Sequence, residues 1–341
     1  LYNESYFKKG LLDNAGNYWI ADFNNGLVKK DQSNHVDMIL PNGPGSDAVY
    51  AMSSGKGNVW VVSGALDGTS PNYAVKEGIY YFHDNTWKTF NCNNDTVYQA
   101  LCAQGSKSVI SVAIDPNDPE HAYVGSWGNG LLEYNANGGM RRYTDDNSAV
   151  VSYNTIPNYF LVGGVTFDQD GTLWGVCSGN RSGIFARESN GTWHNFLMSD
   201  VNAASHWLYN MIVDDYGQKW VVNMEGPSTG SGVTVFKESS LTNPTLSGFR
   251  TYSDRVGYGN LPSIRVRDLA KDKDGAIWLG TDKGVAVIYN PGNALTTSNA
   301  DAQQVIIVQD GYAQYLLESE VVTAVTVDGA NRKWFGTYSS G

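Results

Sequence analysis

Across most of this chain, short runs rich in Val, Ile, Phe and Tyr alternate partially with polar positions, and Asp, Asn or Gly interrupts each run. A period of two cut short by turn residues predicts β-strands. The clearest strands are Val109–Ile114, Val162–Phe167, Tyr209–Val213, Val266–Ala270 and Val321–Val327.

Each run opens the same phrase. A β-branched stretch leads into a turn with Asp and Gly, then an aromatic anchor, then small residues, then Gly with an aliphatic residue. The anchors are Trp19, Trp60, Tyr123, Trp174, Trp220, Trp278 and Trp334, separated by 41, 63, 51, 46, 58 and 56 residues. These periods exceed those of leucine-rich or ankyrin solenoids and approach the roughly 40–50 residues of a propeller blade, with the excess in loops. Gly lies three positions before the anchor in five repeats (Gly16, Gly57, Gly171, Gly217, Gly275), and Asn331 takes that place in the seventh. A tight hairpin requires positive φ there, which Gly and Asn tolerate. The third repeat departs, using Asp115-Pro116-Asn117-Asp118-Pro119 and a Tyr anchor.

Third strands begin at Gly26-Leu27, Gly78-Ile79, Gly130-Leu131, Gly183-Ile184, Gly232-Val233 and Gly284-Val285. Outer strands are visible at Asn85–Phe90, Gly191–Phe196 and Gly248–Tyr252. The fold class expected is therefore all-β: a seven-bladed β-propeller of four-stranded antiparallel blades, the last blade incomplete. The blades should fall near residues 1–45, 46–100, 101–150, 151–200, 201–255, 256–315 and 316–341, forming one domain. The two strands of the seventh copy, and the few residues before the first, predict that the natural chain continues past Gly341.

Composition narrows the function. A net charge of −11 and a pI near 4.8, with no Lys/Arg run longer than a pair, argue against nucleic acid as a partner. No apolar stretch has the length of a membrane-spanning segment, and the first ten residues lack the apolar core of a secretion signal. Of three cysteines, Cys92 and Cys102 could pair across one loop; alternatively all three are small buried residues.

The wording of the repeats, clearest in Val266–Pro291 with its Asp-Lys-Asp-Gly turn and Trp278-Leu279-Gly280-Thr281 strand, resembles Bacteroidetes sensor and secretion propellers. The order that follows, through Gly292–Gln304, Gly311–Glu320 and Val327–Thr337, resembles the propeller region of the PorZ family of type IX secretion components. That resemblance implies an exported, non-catalytic protein at the outer membrane surface, working with protein partners of an attachment complex. It transfers no ligand-binding residue, because lipopolysaccharide binding in that family belongs to a β-sandwich domain not present in this sequence.

Rival chemistries are weaker. The Asp168/Asp170 and Asp272/Asp274 turns imitate the start of a calcium loop, but neither continues to the required Glu, so no metal is expected. Sialidase repeats place Asp and Gly two apart, whereas Asp170-Gly171 and Asp274-Gly275 are adjacent. Propeller lyases use His with a metal, yet His35, His83, His121, His194 and His206 are nowhere closer than 12 positions. Gly163-Gly164 suits close backbone packing better than phosphate binding. No cofactor and no catalytic residue is expected. If the protein binds a partner, the loops at one ring face should serve, carrying Trp127, Arg181, His206, Trp207, Tyr258 and Asp282 with Leu66–Glu77 and Glu225–Ser231. Aromatics beside polar groups there suit a protein or a glycan. The rival function is periplasmic carbohydrate sensing within a hybrid two-component regulator, and a propeller lyase or glycosidase is the third.

Overall fold

The computed structural model describes residues 6–39, 42–64, 78–103, 108–154, 156–198, 207–224, 232–296, 300–309 and 311–340. The chain is almost entirely β, and its antiparallel sheets follow the order of the repeats. The first sheet is Phe7–Leu12, Tyr18–Asp22, Gly26–Lys30 and Val36–Ile39; the second is Ala51–Gly55, Asn58–Val62, Ile79–His83 and Thr86–Phe90. The third comprises Val109–Ile114, His121–Gly128, Gly130–Asn135 and Met140–Tyr143, and the fourth Phe160–Phe167, Leu173–Cys177, Ile184–Arg187 and Trp193–Phe196; the two are continuous, because the end of His121–Gly128 pairs with the start of Phe160–Phe167 at Trp127–Leu161 and Gly128–Phe160. The fifth is Trp207–Val213, Lys219–Met224, Gly232–Ser240 and Thr245–Tyr252. The sixth is Val266–Lys271, Ile277–Thr281, Gly284–Ile288 and the short Gln303–Gln304, and the seventh has Val322–Val327 and Lys333–Thr337. In the second to seventh sheets the first strand is innermost, set against the first strand of its neighbour.

The turn chemistry follows the sequence. Gly16, Gly57, Gly171, Gly217 and Gly275 have φ between 72° and 88°, and Asn331 has 64°. Turn and anchor are also joined by a side-chain clasp. In five repeats one Asp accepts backbone N–H groups two and four residues on, and its second oxygen accepts the indole N–H six residues on. The pairs are Asp13–Trp19, Asp168–Trp174, Asp214–Trp220, Asp272–Trp278 and Asp328–Trp334, at 2.7–3.0 Å. An indole N–H brought between sheets must find an acceptor, and the turn Asp supplies it without leaving its own repeat. With both oxygens so engaged, the Asp-rich turns are hairpin devices.

The variant repeats solve the same problem otherwise. Trp60 donates to the carbonyl of Pro119 in the next blade, 3.1 Å away. In the third blade the Tyr123 hydroxyl donates to Glu133 at 2.8 Å and accepts from Arg187 of the fourth at 2.9 Å.

Blades two to seven stand side by side, each inner strand against the next. Trp60, Trp174 and Trp220 are completely buried between them, and each removes roughly 200 Å² from water, worth about 4 kcal/mol. Gly163 and Gly164 let the fourth inner strand approach the fifth: a Cβ on either would collide with the backbone carbonyls of Leu208 and Tyr209. The first sheet has the blade form but stands apart. Its inner strand is exposed along its whole length, as are Leu27, Met38 and Ile39.

Three features lie outside the repeat phrase. Thr96–Ala103 forms an eight-residue helix, started by Asp95, whose carboxylate accepts the Tyr98 N–H at 2.8 Å. It brings Cys102 to Cys92, and the two are disulfide-bonded with Cα atoms 6.0 Å apart, while Cys177 is free and buried. Ile306–Gln309 and Tyr312–Tyr315 form a separate hairpin. Among the described residues no helix is long and apolar enough to cross a membrane.

Candidate functional site

The start of each inner strand and the end of the second strand meet at one face of the ring. Two of the expected residues come together there. Trp127 ends the second strand of blade three and stacks on Tyr209 of blade five, with centroids 4.8 Å apart and planes 9° from parallel. Trp207, which opens the fifth inner strand, meets Trp127 edge-on at 6.4 Å. Trp127 is only 3% exposed, so its ring packs the rim, and the half-buried Trp207 presents the cluster to solvent. Tyr153 and Tyr159 pack against the same cluster.

Asp282 follows the second strand of blade six and is held by both Arg267 nitrogens at 2.6 and 3.1 Å, with Arg265 at 3.8 Å. This bidentate pair fixes a charged edge to the face. Arg181 donates to the Met198 carbonyl at 3.3 Å, while its buried Nε has no partner among the described residues. Tyr258 is 57% exposed and lies under the Arg255 guanidinium, 4.7 Å from the ring centre. Its loop is fastened by Asp301, which accepts the N–H groups of Gly257 and Gly259 at 2.6 and 2.8 Å. His206 and the loops Leu66–Glu77 and Glu225–Ser231 lie outside the described residues.

One polar centre escaped the sequence reading. Asp268, on the sixth inner strand, accepts from Asn210 of blade five at 2.5 Å and from the Val325 N–H of blade seven at 2.8 Å. Three blades are thus tied through one carboxylate. Burial pushes its pKa up to about 6, against the opposing pull of these donors. The available signal was a charged pair, Arg267-Asp268, in a strand expected to line the channel.

Among the described residues no His, Cys, Asp and Glu gather in threes as a metal site. His35, His83, His121 and His194 each sit beside a carboxylate of their own or an adjacent strand or turn.

Residues 260–283 match the family described as two component regulator propeller. PorZ, described as an essential surface component of the type IX secretion system of Porphyromonas gingivalis, superposes with a TM-score of 0.74 at 24% identity. That match covers 97% of this chain and 45% of PorZ. The fold is a PorZ-like propeller. The extracellular domain of the putative hybrid two component system BT4673 of B. thetaiotaomicron gives 0.53 at 14% identity, covering 98% of this chain and 37% of that one. Virginiamycin B lyase of Staphylococcus aureus gives 0.54 at 13%, covering 98% and 93%. The chain thus spans less than half the length of PorZ and of BT4673. No curated protein matches in sequence. Propellers of this form serve secretion, sensing and lyase proteins alike, so the shared fold does not choose among them.

Proposed function

We propose that this propeller is a non-catalytic, exported docking module of a type IX secretion attachment machinery, engaging protein partners through the face that carries Trp207, Tyr258, Arg181 and Asp282. The observation that carries the reading is the likeness to PorZ along 97% of the chain, at a TM-score of 0.74 against 0.53 and 0.54 for the sensor and lyase propellers. The Cys92–Cys102 disulfide supports export, because such bonds persist in oxidising compartments. Fixed aromatic and charged groups on a rigid ring suit protein docking, and a glycan is the second ligand class they could take.

Copurification with the attachment complex tests this. Exchanging the face loops around Trp207, Tyr258 and Asp282 should abolish association while leaving the folded propeller intact; unchanged association rejects the docking face. The sensor reading is favoured by the regulator-propeller match over 260–283. It requires a carbohydrate fragment to bind the isolated protein, read by calorimetry. Turnover of a lactone or glycan panel, lost in His206→Ala, would replace both readings with an enzyme.

A further inference from the structure

The segment between the fifth and sixth sheets crosses the candidate face from Tyr252, which ends an outer strand, to Val266, which opens an inner one. Both sheets are complete, with four strands each. The crossing is held still by its own backbone and by one carboxylate. Leu261 donates to the Ser253 carbonyl at 3.0 Å, Ser253 to that of Tyr258 at 2.7 Å, and Tyr258 and Asn260 to that of Arg255 at 2.9 and 3.1 Å. Beside Asp301, which accepts from Gly257 and Gly259, the Ala302 N–H donates to the Gly259 carbonyl at 2.7 Å. The Arg250 guanidinium donates to the Gly257 carbonyl at 3.1 Å. Gly257, Gly259 and Asn260 have φ of 80°, 129° and 51°, and a Cβ on Gly259 would strike the Ser253 backbone.

Of the apolar side chains on this fixed loop, Leu261 is buried, whereas Val256 is 79% exposed and Tyr258, under Arg255, is exposed as well. A flexible loop loses conformational entropy when it binds; this one has lost it on folding, so its Val, Tyr and Arg are preorganised as a binding hot spot. Charge marks the partner. Residues 250–267 hold four Arg and one Asp in a chain of net charge −11. Asp282 neutralises Arg267, and Asp301 is taken up by the two glycine N–H groups, while Arg255 and Arg265 are exposed as a positive edge.

We propose that this loop is the hot spot of the face and that it meets an acidic protein surface. Val256 enters an apolar pocket of the partner, Tyr258 packs at its lip, and Arg255 and Arg265 pair with carboxylates around it. The inference rests on the reading of this face as a protein-docking surface and adds to it the patch and the charge of the partner.

Photoreactive benzoylphenylalanine at Val256, and in a second chain at Tyr216, exposed on the opposite, turn-bearing face, tests this in cells that export the protein. Position 256 should link to one protein through a peptide of net negative charge, and position 216 should not link to it. With that protein purified, binding should weaken about tenfold or more in Arg255→Glu and in Tyr258→Ala, at an unchanged melting temperature. It should also weaken about tenfold between roughly 0.05 and 0.5 M salt. No adduct at 256, a linked peptide of net positive charge, a glycan adduct, or unchanged binding by Arg255→Glu overturns the inference. Copurification of the attachment complex, measured alongside, separates the two failures: the complex retained without an adduct rejects the loop alone, and the complex absent rejects the face as well.

Discussion

The Asp clasp is the smallest unit that repeats in both sequence and structure. Asp214 shows what it does: its oxygens accept the N–H groups of Tyr216 and Gln218, the Gln218 amide and the Trp220 indole, all at 2.6–2.9 Å, and it is 1% exposed. Asp214→Ala orphans buried donors and should cost on the order of 3 kcal/mol in urea unfolding. The clasps also predict acid sensitivity. The Trp19 indole foremost holds Asp13 below the usual carboxylate range, and the Trp334 indole does so for Asp328. Burial opposes ionisation of Asp272, yet Trp278 and Lys333 outweigh it. Depressed folded pKa values give stability that is present above about pH 4 and lost as the pH falls below it. Asp268 has the opposite sign: burial raises it to about 6, so stability should fall as pH rises from about 4 to 6. Asp268→Asn should flatten that limb in a pH series of melting temperatures. The turn role of these Asp residues was legible in the sequence. Their hold on the indole, six residues away, was visible only as an unexplained recurrent spacing.

At the scale of the element, strands and turns were read well because their causes are local. The inner strands expected at Val109–Ile114 and Val266–Ala270 occur as Val109–Ile114 and Val266–Lys271. The helix at Thr96–Ala103 went unread because eight residues carry too little periodicity, although Asp95 was a capping signal. The hairpin of Ile306–Gln309 and Tyr312–Tyr315 went unread because it belongs to no repeat. The disulfide, left open by spacing alone, depends on that helix. Cys92→Ser should cost about 2–3 kcal/mol, measured against the oxidised wild type. Gly163→Ala, with the Leu208 carbonyl where its methyl must go, should cost on the order of 3 kcal/mol and loosen blade four from blade five.

At the scale of the molecule, stability comes from neighbours, as in other stacked repeats. The candidate face illustrates the limit of sequence reading: loop positions placed Trp127 and Trp207 together, but no pattern along the chain could show that Trp127 is buried against Tyr209 two blades away. The same neighbour dependence sets a gradient along the stack. Trp60, Trp174 and Trp220 are wholly enclosed, Trp278 is half-buried beneath Lys333 and Phe335, and Trp334 is 56% exposed. The most direct measurement is therefore a series of anchor-to-Ala variants compared by equilibrium unfolding of dilute, monomeric protein. Trp60, Trp174 and Trp220 should each cost about 3–5 kcal/mol, Trp278 less, and Trp334 under about 1. Equal losses at all five positions would mean that the anchors act within their own sheets, and stacking of blade on blade would not be what holds this protein together.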